Sequence, residues 1–230
     1  MRWNPLNALS GEYRALLDQI RFFEDQLLEP ETDVARNSRQ ALLVPGYFGP
    51  LLPSHLRGLS EHLREEGMDT AFLNYRFWES LEDNVGEIAD KLYHQYTSDN
   101  QKISAIGHSL GGLVVRDLLT KVPEVFDNAI FLGTPHHGTK MAYLNFFVPV
   151  CRDMFPSSDY LLKLNSRALP DNIPILNLVS AYDQMVTPWE SALLPEGNNV
   201  KNKIVYDVGH IGLISKRMFT HISRHLGLEE

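Results

Sequence analysis

Six short apolar runs separated by segments of helical period set the tightest limit on what this chain can become. They are QALLV (40–44), TAFLNY (70–75), KISAI (102–106), NAIFL (128–132), IPILNLV (173–179) and KIVYDV (203–208). Runs this short read as strands, and those apolar throughout read as strands buried on both faces. Helical patterns fall around them near 54–66, 80–96, 111–121 and 215–226. Strand followed by helix, repeated, predicts an α/β protein: a mainly parallel six-stranded sheet with helices on both faces. In such sheets ligands bind beyond the carboxyl ends of the strands, so a residue just after a strand is the one to inspect.

A chain of 230 residues, 43% of them hydrophobic, suits one sizeable core, and a single domain over 1–230 is expected. Leu6, Leu9, Tyr13, Leu16, Leu17, Ile20, Phe23, Leu27 and Leu28 recur at helical spacing, which predicts an amphipathic N-terminal helix within 1–30. Its polar face mixes acids and bases, so packing against the domain is expected rather than a lipid anchor. PETDVARNSR (30–39) is a polar connector. Twenty-one Lys and Arg against 29 Asp and Glu give a net charge of −8, which repels nucleic acid and anionic headgroups. One cysteine, Cys151, cannot form an internal disulfide and fits a reducing compartment. Arg14, Asp18, Arg21, Glu24 and Asp25 interrupt any signal-peptide core, and no window reaches the roughly 18 apolar residues of a membrane span. A cytoplasmic location is therefore expected.

The run SAIGHSLGGLVVRDLL (104–119) places Ser109 between Gly107 and the pair Gly111 and Gly112, where a strand pattern turns into a helical one. A chain that turns from strand to helix within a few residues has no room for side chains at the flanking positions. The serine is thereby lifted above the sheet edge, the arrangement of a nucleophile elbow, G-x-S-x-G. Serine needs a base, and the base needs a carboxylate to hold its tautomer. LNLVSAYDQMVTP delivers Asp183 just past one strand, and KIVYDVGHIGLI delivers His210 just past the last. The competitors fit less well. Asp207 lies inside the last strand pattern and Asp171 before its strand. His221 and His225 are four apart but lack the glutamate of H-E-x-x-H, so they read as a solvated helical face and no metal is expected. His108, beside the nucleophile on a tight turn, reads as packing.

An oxyanion formed at Ser109 needs N–H donors. Leu110, the residue after the nucleophile, supplies one, and the loop after the first strand supplies the other. That loop reads LLVPGYFGP, which makes Tyr47 the second donor and Phe48 the alternative.

Through PGYFG, GHSLGG, FLGTPHHGT, YDQMVTP and GHIGL, the chain over roughly 40–226 resembles a lipase or esterase of the α/β-hydrolase superfamily. The order Ser109, Asp183, His210 is that superfamily's order. GTPHHGT (133–139) is similar to the G-[ST]-P-H-x-G run of compact bacterial lipases. The resemblance implies ester hydrolysis through an acyl-serine, with no cofactor. It also implies that the histidines of that run shape the pocket rim, with His136 a lesser alternative as base. The chain departs from many relatives in having Pro45-Gly46 where they carry His-Gly, which leaves the second oxyanion donor open between Tyr47 and Phe48. The insert at 139–170 carries Met141, Tyr143, Leu144, Phe146, Phe147, Val148, Val150, Met154 and Phe155. Hydrolases of this type often place a cap there. Phe146 and Phe147, with Phe48 and His136, are candidate pocket residues for an acyl chain, although core helix explains such residues equally well. Pro149 and Pro156 predict short pieces, as in a lid. The expected activity is hydrolysis of lipid or acyl esters, with transient contact to a lipid surface. An acyltransferase with the same triad, or a binding protein on the same scaffold, are the other readings.

Overall fold

The computed structural model describes residues 39–47, 56–76, 78–97 and 101–229; the helical pattern of 1–30 and Phe48 lie outside them. Among the described residues the strands are β1 (Arg39–Val44), β2 (Met68–Phe72), β3 (Ile103–His108), β4 (Phe126–Leu132), β5 (Ile175–Ser180) and β6 (Val200–Val205). The main helices are α1 (Arg57–Glu65), α2 (Leu81–Thr97), α3 (Leu110–Lys121), α4 (Pro149–Asp153), α5 (Asp159–Asn165) and α6 (Lys216–His225). The six strands form one sheet in the order β2-β1-β3-β4-β5-β6, every pair parallel. Together with the helices on its two faces this is the α/β-hydrolase fold.

Alternation along each strand divides the core. Leu42 and Val44 of β1, Ile103 and Ala105 of β3, and Ala129 and Phe131 of β4 pack with Leu81, Val85 and Ile88 of α2 and Leu113, Val114 and Leu118 of α3. The intervening Ala41, Leu43, Ile106, Ile130 and Leu132 face the other way, onto Leu59 and Leu63 of α1 and Met218, Phe219 and Ile222 of α6. A sheet apolar on both faces needs both covered, and each fully buried Leu or Phe contributes on the order of 2 kcal/mol. At the start of α2, Ser80 caps the helix: its hydroxyl accepts from the Asp83 N–H at 3.2 Å and donates to the Asp83 carboxylate at 2.6 Å.

Two edge strands sit earlier in the chain than their sequence patterns suggest. TAFLNY (70–75) places β2 too late because Gly67, at φ +81°, turns the chain out of α1 so that β2 begins at Met68. KIVYDV (203–208) places β6 too late because its polar start, Val200-Lys201-Asn202-Lys203, still pairs with β5 until β5 ends at Ser180 opposite Val205. Asp207 therefore lies beyond β6, not within it.

The insert over 139–170 is broken as its prolines require: a 3-10 turn at Lys140–Asn145, then α4 with Pro149 in its first turn, then α5 after Pro156. It is rooted in the core through Val148, Val150 and Cys151, while Tyr143, Leu144, Phe146 and Phe147 are exposed. Among the described residues no helix is long and apolar enough to cross a membrane.

Candidate active site

The strand order reverses direction between β1 and β3, since β1 leads outward to β2 and the chain then crosses back to β3. At such a switch point the loops beyond the two strand ends diverge and leave a crevice. Pro45, Gly46 and Tyr47 follow β1 at this point, and Ser109 follows β3.

Ser109 adopts φ 55°, ψ −123°, a conformation that L residues rarely hold. Its N–H donates to the Leu132 carbonyl at 2.8 Å, tying the bend to the end of β4. The flanking glycines are obligatory. A Cβ on Gly107 would fall 2.5 Å from Gly112 Cα, one on Gly111 2.2 Å from the Val44 carbonyl oxygen, and one on Gly112 1.8 Å from Thr134 Oγ1. A Cβ on Gly46 would lie 3.1 Å from Ser109 Cβ, so the turn after β1 passes directly beside the nucleophile. Leu110 opens α3, and its N–H is one of the donors that a helix start leaves without an intrahelical acceptor.

Asp183 and His210 are joined. His210 Nδ1 donates to Asp183 Oδ2 at 2.7 Å, and the two side chains are 6% and 2% exposed. Asp183 Oδ1 accepts the Met185 and Val186 N–H groups at 2.8 Å each, so both carboxylate oxygens are engaged and the orientation is fixed. With Nδ1 committed to the carboxylate, Nε2 is the imidazole's remaining acceptor. Gly133, at φ +59°, lies under the pair: a Cβ there would be 3.1 Å from His210 Nδ1 and 3.2 Å from Asp183 Oδ2. Because Gly133 directly follows Leu132, which holds the Ser109 N–H, all three residues converge on the end of β4. Among the described residues Ser109 Oγ and His210 share no hydrogen bond; the one hydrogen bond of the His210 ring is that to Asp183. The His108 ring packs against the His210 ring, centroids 4.8 Å apart.

Several supports of this arrangement form no motif in the sequence. Ser180 Oγ donates to the Val208 carbonyl, linking the loops that carry the acid and the histidine. Thr139 Oγ1 donates to the Met185 carbonyl at 2.7 Å and accepts the Thr187 N–H at 3.0 Å. Asn177 Nδ2 donates to the Ala192 carbonyl and to Asn202 Oδ1, both at 2.8 Å. A polar residue within a buried strand, such as Asn177, is the signal that a loop is being anchored.

Other sequence expectations are corrected. His136 does not shape a rim: it is 0% exposed, edge-on to Phe131, and burial, followed by the nearby Arg116 and His137, holds its pKa well below the usual histidine value. Phe146 and Phe147 stand edge-to-face, 63% and 60% exposed, outside the packed core. Tyr47 is partly buried against the core. His225 is not on a solvated face; it is half-buried near the backbone of Pro174 and Ala129, and burial lowers its pKa. Asp207 is exposed and 3.4 Å from Arg217. Asp171 lines a depression of about 540 Å³ with Glu196 and Lys201, near the starts of β5 and β6. Among the described residues no group of His, Cys, Asp and Glu could hold a metal ion.

A family model described as palmitoyl protein thioesterase matches residues 57–169, just under half of the chain. No curated protein matches. Among solved structures, the mature lipase BlEst2 of Bacillus licheniformis superposes with a TM-score of 0.66 at 16% identity, over 88% of this chain and 96% of that one. Lipase B of Aspergillus fumigatus gives 0.64 at 16% identity, over 83% of this chain and 53% of that one. Est1E of Butyrivibrio proteoclasticus, solved with ferulic acid bound, gives 0.59 at 14% identity, over 86% and 94%. At such identities the likeness is one of fold.

Proposed function

We propose that the chain is a serine carboxylic-ester hydrolase of the lipase and esterase kind, acting on lipid or other acyl esters through an acyl-serine. The observation that carries this is the 2.7 Å bond between the buried Asp183 carboxylate and His210 Nδ1, next to a serine held in a strained bend. An imidazole oriented in this way keeps Nε2 free to accept a proton.

Ser109 Oγ attacks the ester carbonyl carbon while His210 Nε2 takes its proton, and Asp183 stabilises the imidazolium. The carbonyl electron pair moves to oxygen, where the Leu110 and Tyr47 N–H groups bind it. Each such donor is worth about 3 kcal/mol of barrier in a comparable protease site. The carbon–oxygen bond to the alcohol breaks, the alcohol leaves with the His210 proton, and water repeats the sequence to release the acid and restore Ser109. No cofactor enters. The matched family description makes acyl thioesters a substrate class worth comparing, since a thiol leaves by the same path. Residues 139–170 serve as the cap, with its exposed aromatic side chains available to an acyl chain or a lipid surface. A cytoplasmic setting fits the single buried free thiol, Cys151.

Fluorophosphonate labelling tests the reading: a single adduct on Ser109, absent from Ser109→Ala, is expected. An intact protein that forms no adduct would be a binding protein on this scaffold. Product analysis with competing alcohols separates hydrolysis from acyl transfer, and a chain-length series of p-nitrophenyl esters beside acyl thioesters defines the substrate.

A further inference from the structure

The Tyr75 hydroxyl donates a 2.8 Å hydrogen bond to the carbonyl oxygen of Pro45. Both residues are buried, Tyr75 to 3% exposure. Pro45 opens the turn after β1, and Gly46 carries that turn past Ser109. On its other side the same carbonyl abuts α3, because a Cβ on Gly111 would lie 2.4 Å from it. The Pro45 oxygen is thus held between a phenol and the helix turn that begins with Leu110.

Fixing a carbonyl fixes its peptide plane. The Pro45–Gly46 plane sets the direction in which the chain enters the Gly46–Tyr47 peptide, whose N–H is the proposed second oxyanion donor. Gly46 has no side chain to restrict its dihedrals, so the restraint has to come from outside. The Tyr47 side chain is held separately, packed partly buried against the core cluster that includes Cys151 of α4.

We propose that Tyr75 is a positioning residue for the oxyanion site, holding the turn after β1 at the separation from the Leu110 N–H that a tetrahedral intermediate needs. This rests on the hydrolase reading above. Burial, with Cys151 and Tyr47 adding to it, raises the phenol pKa well above its usual value, so the hydroxyl keeps its proton and remains a donor. Without that donor the buried carbonyl is left unsatisfied and the Pro-Gly turn is released.

The test is Tyr75→Phe, which keeps the ring that fills the core, with rates expressed per fluorophosphonate-titratable Ser109. Oxyanion contacts exist only in the transition state, so kcat should fall by about 10- to 100-fold while KM stays within about twofold. Tyr96→Phe is the structural control. It removes a 3.3 Å hydroxyl bond to the Gln40 side chain at the opposite end of β1, and should lower Tm yet leave kcat within about twofold. A phosphonate adduct of the parent gives a check that needs no variant: its oxygen should sit about 2.7–3.1 Å from the Tyr47 and Leu110 N–H groups. Unchanged kcat in Tyr75→Phe, a rise in KM alone, or an adduct oxygen pointing elsewhere overturns the proposal. A parent that neither labels nor turns over removes the hydrolase reading and this proposal with it; an active, labelled parent beside an unimpaired Tyr75→Phe removes only the proposal.

Discussion

Asp183 Oδ2 and His210 Nδ1 lie 2.7 Å apart although 27 residues separate them and each rides on a different loop. The contact is made possible by β5 and β6 pairing in register to Ser180 and Val205, which brings the two loops out of the sheet side by side. The Ser180 hydroxyl then ties one loop to the other.

Asp183→Asn should leave this geometry nearly intact and still lower kcat by about 10⁴, the size of effect seen for the equivalent change in a serine protease triad. The Met185 and Val186 N–H groups demand an oxygen at the Oδ1 position. The amide nitrogen would then face His210 Nδ1 and donate to it, forcing the proton onto Nε2, where it blocks the base. Near-parental kcat in a folded Asp183→Asn would show that a different acid orients the histidine.

Ser109→Ala and Ser109→Gly should both be inactive but should differ in stability. The bend at φ 55°, ψ −123° costs alanine as much as serine, while glycine adopts it freely. Relief of strain, offset by the greater freedom of unfolded glycine, leaves Ser109→Gly roughly 1 kcal/mol more stable, a rise of about 2–4 °C in Tm. Thermal unfolding of the two variants side by side decides it; equal midpoints would mean that the elbow stores no strain.

The glycines of this chain should divide sharply. Gly107→Ala places a methyl 2.5 Å from Gly112 Cα and 2.7 Å from the Gly111 carbonyl oxygen, both backbone, and should cost about 3 kcal/mol or prevent folding. Gly86, in α2, has nothing within 4 Å of an added Cβ, so Gly86→Ala should stabilise by about 0.8–1.0 kcal/mol through helix propensity alone. Denaturant midpoints of the two variants are the measurement.

The elbow was legible in the sequence because strand, serine and glycines are contiguous there, and local sterics alone dictate the bend. The pairing of Asp183 with His210 was legible for a related reason: each follows a strand, and strand ends are where a parallel sheet gathers its loops. Tyr75, Thr139 and Asn177 were not, because each acts on a backbone group 15 or more residues away, and which groups meet is decided by packing rather than by pattern. His136 misled because a motif histidine beside a strand end can point inward as readily as outward; Phe131 and the core took it in. Phe146 and Phe147 went the opposite way, out of the core. The apolar character of the insert is satisfied by Val148, Val150 and Cys151, which left the two aromatic side chains outside.

Asp153 links the insert to the body of the fold and should make that link sensitive to pH. Its carboxylate accepts the Leu81 N–H at 2.6 Å, capping α2 from a segment 72 residues away. Burial raises its pKa to about 6, the Leu81 hydrogen bond lowers it, and the neighbouring Glu82 and Asp83 push it up again. A carboxyl whose pKa rises on folding contributes stability that is fully present below its unfolded value of 3.8 and lost as pH climbs through about 6. Above that pH the protein carries the cost of a poorly solvated charge. Asp153→Asn keeps an oxygen for Leu81 and drops the charge. It should therefore be more stable than the parent at pH 7–8 by about 1 kcal/mol, after allowing for the screening of a partly exposed group. The advantage should vanish towards pH 4. Paired melting curves across that range check the sign, and a variant less stable at pH 8 would mean that attraction to the N-terminus of α2 outweighs the desolvation.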